Sequence, residues 1–298
     1  MLAAQPLHPL FGAELSGVDL RAPLAGADAQ AIRDAFAKYG VCVFHNDPPL
    51  TNQQHIALSY VLGPLDNQPV FKIAGRVKRI QEPEIQDVGN LNADGSLMTP
   101  DSRIAAFRRG DRLWHSDMSF HENRATFSLL SAHSVPPEGG DTLFADMRVA
   151  YAALPDSMKA RIEGLVCEHS IWWSRALADY PTPTQDELDS RPPVQHPLVF
   201  THAGSGRKTV YLSSHISHVV GMPMEEGRAL IRELMAHATQ PAFVYAHKWR
   251  VGDVVAWDNL ATMHRGTEFK DTVHPRDMRR TTLREHAGNQ AALSGHAA

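Results

Sequence analysis

From Leu113 onward the chain falls into short apolar or aromatic runs, at 113–120, 126–135, 142–146, 208–213, 243–249, 253–258 and 279–285. Segments containing Gly, Pro, Asn or Asp separate them. Runs of this length between turn residues are strands, too short for helices that must bury a face. So many of them confine the second half of the chain to a β-rich core. Helical patterns flank them. Asp28 to Tyr39 carries a stripe of Ala31, Ile32, Ala35 and Phe36 with Gly40 as the stop, and an apolar strand, Val41 to Phe44, follows. Thr51 with Gln54 opens a second helix that Gly63 closes. A third spans Arg148 to Leu165 with a restart at Pro155-Asp156, and a fourth spans 224–238. Short strands with helices outside them predict an α+β protein built on an antiparallel β-sandwich or jelly roll.

Two stretches resist this reading. Residues 64–111 are polar and nearly without periodicity, and long irregular segments inside compact domains act as lids or stay disordered. A mobile cover is expected there. Residues 180–197 contain five prolines and read as a surface excursion. No repeat, low-complexity tract or linker divides the chain, so residues 1–298 are expected to form a single domain.

Composition narrows the function. With 298 residues, 43% hydrophobic and 21% charged, the chain has apolar side chains enough for one sizeable core. A net charge of −4, with no Lys/Arg run of five or six, speaks against nucleic acid as a partner. No apolar run reaches the roughly 18–20 residues that cross a bilayer, and the first residues lack the pattern of a signal peptide. A cytoplasmic protein with no membrane partner is expected. The two cysteines, Cys42 and Cys167, lie in apolar stretches and read as core residues rather than a disulfide or thiolate site. Seventeen histidines direct attention to metal or acid–base chemistry.

Leu113-Trp-His115-Ser-Asp117-Met-Ser-Phe120 is the sharpest local feature. On a strand, His115 and Asp117 share a face. A third ligand from a distant segment would complete a 2-His-1-carboxylate triad, which leaves coordination positions open for co-substrate and O2. His264 is the best candidate, on a short strand after Trp257-Asp258-Asn259. His-x-Asp alone is a weak pattern, and His264 alone reads more readily as a hydrogen-bonded core histidine. His215 and His218 stand three apart, compatible with a helical turn, but no acid accompanies them. Arg276 and Arg280 are four apart and share a face on a strand, where guanidinium groups could hold two different carboxylates. A solvated basic edge strand gives the same pattern.

Together these segments resemble the taurine/2,4-dichlorophenoxyacetate dioxygenase family of Fe(II)/2-oxoglutarate enzymes. The resemblance rests on Trp-His-x-Asp-x-x-Phe at 114–120, Gly-Gly-Asp-Thr at 139–142, Trp-Asp-Asn…His at 257–264 and Arg-x-Met-x-Arg-x-Thr at 276–282, in family order and spacing. It extends over nearly the whole chain, through Pro6 to Phe11, Thr201 to Lys208 and Ser214 to His218, and is strongest to the 2,4-dichlorophenoxyacetate branch. It implies a double-stranded β-helix (jelly roll) with flanking helices, and Fe(II) held by His115, Asp117 and His264. It also implies that Thr142 and Arg276 bind the distal carboxylate of 2-oxoglutarate, that Arg280 holds the acidic group of the substrate, and that His202 and His218 lie near the substrate. Arg279 stands beside Arg280, so strand register decides which of the two faces the cavity. Lys72 offers a second cation in the 64–111 stretch, whereas no lysine occurs between Asn92 and Asp111, where this branch is expected to have one.

The chemistry so implied is O2-dependent hydroxylation of an aryloxyacetate, such as 2,4-dichlorophenoxyacetate, next to its ether oxygen. Phenol, glyoxylate, succinate and CO2 are the products, and the partner is a small anionic aromatic molecule. Three other readings stay open: the same chemistry on taurine, another alkylsulfonate or a small carboxylate; a zinc hydrolase on the same ligands; and a non-catalytic metal-binding jelly roll. Whether the protein is a homo-oligomer is likewise open.

Overall fold

The computed structural model describes residues 2–65 and 77–285. Along the chain, β1 (Ala3–Pro6) and β2 (Ala13–Ser16) lead into α1 (Gly26–Tyr39), β3 (Val41–His45), α2 (Asn52–Tyr60), β4 (Gln86–Asp87) and α3 (Arg103–Arg109). There follow β5 (Ala125–Ser134), β6 (Thr142–Asp146), α4 (Met147–Ala153), α5 (Asp156–Ile162), β7 (Val166–His169), α6 (Ile171–Ala176) and α7 (Gln185–Ser190). The last third holds β8 (Val194–Pro197), β9 (Val199–Thr201), β10 (Lys208–Val210) and β11 (Ile216–Val219). Helix α8 (Met224–Ala238), β12 (Val244–His247), β13 (Asp253–Asp258), β14 (Thr262–Gly266) and β15 (Asp277–Arg284) complete the described residues.

This is a mixed α+β architecture with a seven-stranded sheet in the order β1-β2-β3-β13-β5-β15-β4. A three-stranded sheet, β12-β6-β14, faces it. Smaller sheets, β11-β7-β8 and β10-β9, lie beyond. The central strands are buried at nearly every position because both faces of the large sheet are covered. Cys42, Phe44, Leu129, Val254 and Ala256 meet Ile32, Ala35 and Phe36 of α1 on the outer face. Val41, Val43, Leu130, Val255, Trp257 and Met278 meet Phe144 of β6 on the inner one. A third core joins α4, α5 and α8 to β7, β10 and β11. Among the described residues no helix is long and apolar enough to cross a membrane.

Local chemistry explains the element ends. Helix α1 stops at Gly40, whose φ of +71° suits glycine and whose N–H bonds to Phe36 O. A side chain there would also strike Arg148 and Thr262. Helix α2 starts with the expected capping box of Thr51 and Gln54. The restart near Pro155 separates α4 from α5 as read.

Two expectations are corrected. Residues 113–120 are not a strand: His115 makes an isolated bridge to His264 and a turn begins at Asp117, with Met118 at φ +55°. The described part of 64–111 is not structureless, since Ser102 caps α3 by accepting a hydrogen bond from Ala105 N. The proline-rich stretch is largely exposed, as a surface excursion should be, and it holds α7, with a Thr184/Glu187 capping box, and β8. Cys42 and Cys167 are buried free thiols, as expected of core residues.

Candidate metal centre

The site lies where the large sheet's inner face meets β14. His115 N donates to His264 O at 2.9 Å and His264 N donates to His115 O at 2.8 Å. This reciprocal pair brings the two imidazoles to a centroid separation of 4.2 Å. The turn after His115 then swings Asp117 toward both rings. Its carboxylate oxygens lie 3.9 Å from His115 Nε2 and 3.8 Å from His264 Nε2. The shared direction of His115 and Asp117, expected from strand alternation, therefore comes from one bridge followed by a tight turn.

Ligand atoms of His115, Asp117 and His264 all lie within 4.8 Å of one another, and all three residues are buried. His115 Nδ1 lies 2.7 Å from Leu113 O, and a carbonyl can only accept, so Nδ1 donates and Nε2 is the nitrogen left to bind a metal. Burial first, and His115 second, hold the His264 pKa well below the usual histidine value, which keeps that ring neutral. Burial alone would raise the Asp117 pKa; Arg280, then His264 and His115, bring it down to about 2. Two imidazole nitrogens and one carboxylate, converging from buried positions, are the donor set of a facial-triad iron site.

Around the triad, Ser128 Oγ donates to Asp117 Oδ2 at 2.8 Å and Arg280 Nη1 donates to Oδ1 at 2.6 Å. Asn259 Oδ1 accepts from Asp117 N at 3.1 Å. The register question is answered in favour of Arg280, which alternates with Met278 and Thr282 toward the inner face. Arg279 points the other way, to Asn52 of α2 and to Asp277. The ladder shift between Asp277 and Met278 places its extra residue on β5, so β15 keeps its alternation.

Arg276 stands just before β15, with its guanidinium against Gly140, two residues before Thr142. It faces a cavity of about 150 Å³ that Arg108, Asp111, Gly266 and Phe269 also line. Burial, then Arg108, lowers the Arg276 pKa to about 10, and among the described residues no carboxylate pairs with it. Thr142 pairs with Gly266 across the ladder, and its hydroxyl accepts from Trp249 Nε1 at 3.0 Å.

The other candidates lie elsewhere. His202 pairs with Asp258 at 2.8 Å and with Ser205 Oγ, in a cavity of about 80 Å³ lined by Arg33, Phe127 and Gly204. Asp258 alternates with Val254 and Ala256, so this is the α1 side of the sheet, opposite Trp257. His218 bonds to Ser217 Oγ and lies 3.5 Å from Glu168. Neither makes a hydrogen bond or ring contact with the triad among the described residues, so the expectation that they lie near the substrate gains no support from these contacts. His215 does touch it, edge-on to His115 at 5.9 Å and held by Ser174 Oγ at 2.7 Å. The spacing of His215 and His218 drew attention to the pair without showing which one mattered. Ser128 and Asn259 carried no independent signal, although Asn259 lies in the Trp-Asp-Asn segment. Lys72 falls outside the described residues.

A profile described as "Taurine catabolism dioxygenase TauD, TfdA family" matches residues 3–282. The chain belongs to the TauD/TfdA dioxygenase family. It is 42% identical, over 96% of its length and 99% of the relative's, to the alpha-ketoglutarate-dependent 2,4-dichlorophenoxyacetate dioxygenase of Cupriavidus pinatubonensis. It is 32% identical to the (S)-phenoxypropionate/alpha-ketoglutarate-dioxygenase of Sphingobium herbicidovorans, over 97% of both chains. The crystal structure of AAD-2 in complex with Mn(II) and N-oxalylglycine superposes with a TM-score of 0.87, at 44% identity, covering 95% of this chain and 97% of the other. The protein is thus a 2-oxoglutarate-dependent dioxygenase, and Fe(II) is its metal at His115, Asp117 and His264. Family membership sets aside the zinc-hydrolase and non-catalytic readings.

Proposed function

We propose that this dioxygenase hydroxylates aryloxyacetates such as 2,4-dichlorophenoxyacetate at the carbon between the ether oxygen and the carboxylate. One oxygen atom of O2 enters that carbon and the other enters succinate as 2-oxoglutarate loses CO2. The hemiacetal then collapses to a phenol and glyoxylate. The observation that carries this reading is Arg280, a guanidinium on the inner face of β15 and in contact with the metal-binding carboxylate. An anion bound to it sets a short substrate's α-carbon beside the metal. Relatives named for phenoxy acids along the full chain length support the aryl part.

Each residue has a distinct part. Fe(II) with 2-oxoglutarate supplies the oxidant when bound. Arg276, half-buried and without a carboxylate among the described residues, holds the distal carboxylate of the co-substrate, with Thr142 beside it. N-oxalylglycine, bound in the similar AAD-2 structure, likewise carries an α-dicarbonyl acid and a distal carboxylate. Arg280 orients the substrate carboxylate, and positioning of this kind converts binding energy into rate. Arg108 of helix α3 lines the Arg276 cavity, which supports reading this part of the chain as its cover within a single domain. The seven-stranded sheet and the β12-β6-β14 sheet form the two walls of a double-stranded β-helix.

The test is succinate and phenol release from a panel of 2,4-dichlorophenoxyacetate, 2-phenoxypropionate, taurine and an alkyl sulfate. The aryloxyacetate should exceed the sulfur compounds in kcat/KM by at least about 100-fold, because the site must then match both an aryl group and a carboxylate. A preference for taurine or the alkyl sulfate would overturn the substrate assignment and leave the oxygenase intact.

A further inference from the structure

One side chain touches the support of two of the three metal ligands. Trp257 Nε1 donates to Asn259 Oδ1 at 2.9 Å. The same oxygen accepts from Asp117 N at 3.1 Å. Both neighbours can only donate, so the amide orientation of Asn259 is fixed, with Nδ2 turned to Ser128 Oγ at 2.9 Å. That amide can only donate in turn. The single hydroxyl proton of Ser128 is left for Asp117 Oδ2, at 2.8 Å. The chain of bonds therefore has one direction, from indole to amide to hydroxyl to carboxylate. Its members are cut off from solvent: Trp257 is 1% exposed, and Ser128 and Asn259 are 0%.

The indole ring also packs against the second imidazole, with centroids of Trp257 and His264 4.7 Å apart at 53°. Phe144 lies on the same imidazole at 6.0 Å. His115 is oriented by its bond to Leu113 O, whereas His264 Nδ1 is buried with no hydrogen-bond partner among the described residues. A ligating histidine ordinarily donates its second N–H to a fixed acceptor. Here ring packing takes that place.

We propose that Trp257 is the positioning residue of the metal centre, orienting Asp117 through Asn259 and Ser128 and orienting His264 through its ring face. The two roles are separable. Trp257→Phe keeps a ring beside His264 and removes the N–H. Ser128→Ala removes the last donor of the relay and leaves the indole untouched.

The experiment is anaerobic titration of the metal-free protein with Mn(II) alone, together with the melting temperature of each metal-free variant. Ser128→Ala is expected to weaken Mn(II) binding by about 10-fold or more, as loss of a support around a metal ligand does. Trp257→Phe should weaken it to a similar or smaller degree, because Asn259 Oδ1 keeps its bond to Asp117 N. The double variant should bind little worse than Ser128→Ala, since both changes cut one path. Trp257→Leu, which loses the ring as well, should bind more weakly than Trp257→Phe.

An unchanged Mn(II) affinity in Ser128→Ala or in folded Trp257→Phe overturns the relay, as do independent, additive losses in the double variant. Should Trp257→Phe not fold, Ser128→Ala decides the bond to Asp117, because it deletes one small buried group, and Trp257→Tyr, which also keeps a ring without the indole N–H, decides the part of Trp257. A fall in melting temperature with no change in Mn(II) affinity would mark the contacts as structural only and overturn the proposal. The inference rests on the metal assignment and is independent of the substrate. Wild-type protein that fails to bind Mn(II) would overturn both the assignment and the relay, whereas failure of the substrate panel touches neither.

Discussion

Arg276 and Arg280 differ in what surrounds them, and that difference separates their roles. Arg276 is half-buried without a carboxylate partner among the described residues, and its withdrawal from solvent holds its pKa down to about 10. A charge in that state is costly until an anion arrives. Replacing it by Gln should raise the KM for 2-oxoglutarate about 10- to 100-fold, the worth of a charge-assisted pair of about 1.5–3 kcal/mol. Mn(II) affinity should be unchanged, and steady-state kinetics with 2-oxoglutarate varied give the readout. Arg280→Ala should instead raise the KM for the aryloxyacetate, while 2-oxoglutarate turnover without substrate persists. An unaltered KM would remove its role as substrate anchor. The triad itself was legible because His115, Asp117 and His264 lie in segments whose order and spacing are a family pattern. Ser128 and Asn259 were not, since a serine on a strand and an asparagine in a turn have many commoner uses. Their function depends on atom-to-atom direction, which no spacing encodes. The contacts of His202 were illegible for a related reason: it lies in a segment that matches the family, but parity along β13 carries its partner Asp258 to the α1 side.

Elements with a strong period or a defined end were readable in advance. Helices α1, α2 and α8 and strands β3, β5, β6 and β13 fall within a few residues of their expected positions. The cap of α2 offers a check. Thr51→Ala removes a side-chain acceptor for Gln54 N and should cost about 1 kcal/mol. In a chain of this size that is a fall of about 2 °C in Tm, with Mn(II) affinity unchanged. The helix lies on the outer face of β15, where Ser59 meets Thr281, away from the triad. The failures have physical causes too. The 113–120 run is apolar because it is buried beside β14, yet only His115 finds a ladder partner before Met118 takes a positive φ. Helix α3 is seven residues long, too short for a period to show, and its start depends on one serine cap.

At the scale of the molecule, many histidines are buried in their neutral form. Burial, then His133, lowers the His55 pKa to about 3; burial, then Arg124, lowers that of His196 to about 4. In the unfolded chain both take up protons near pH 6.5. Their folded values are depressed, so the stability they contribute is present above pH 6.5 and is lost as pH falls toward 4 and 3. Asp277 follows at lower pH. Burial opposes its ionisation, but bonds from Arg79 and Arg279 hold its pKa at about 2, and its contribution disappears between about pH 4 and 2. Denaturant unfolding should therefore show stability declining from pH 6.5 to 4. In His55→Gln that decline should be shallower by on the order of 3 kcal/mol; an equal slope in the two proteins would assign the acid sensitivity elsewhere. All of these cores and charges serve one centre, and one measurement addresses it most directly. The protein is loaded without O2 with Fe(II), 2-oxoglutarate and 2,4-dichlorophenoxyacetate, then exposed to O2, and succinate and phenol are counted. Equal amounts of the two are expected; succinate without phenol would contradict the aryloxyacetate assignment, and neither product from Fe(II)-loaded protein would contradict the oxygenase itself.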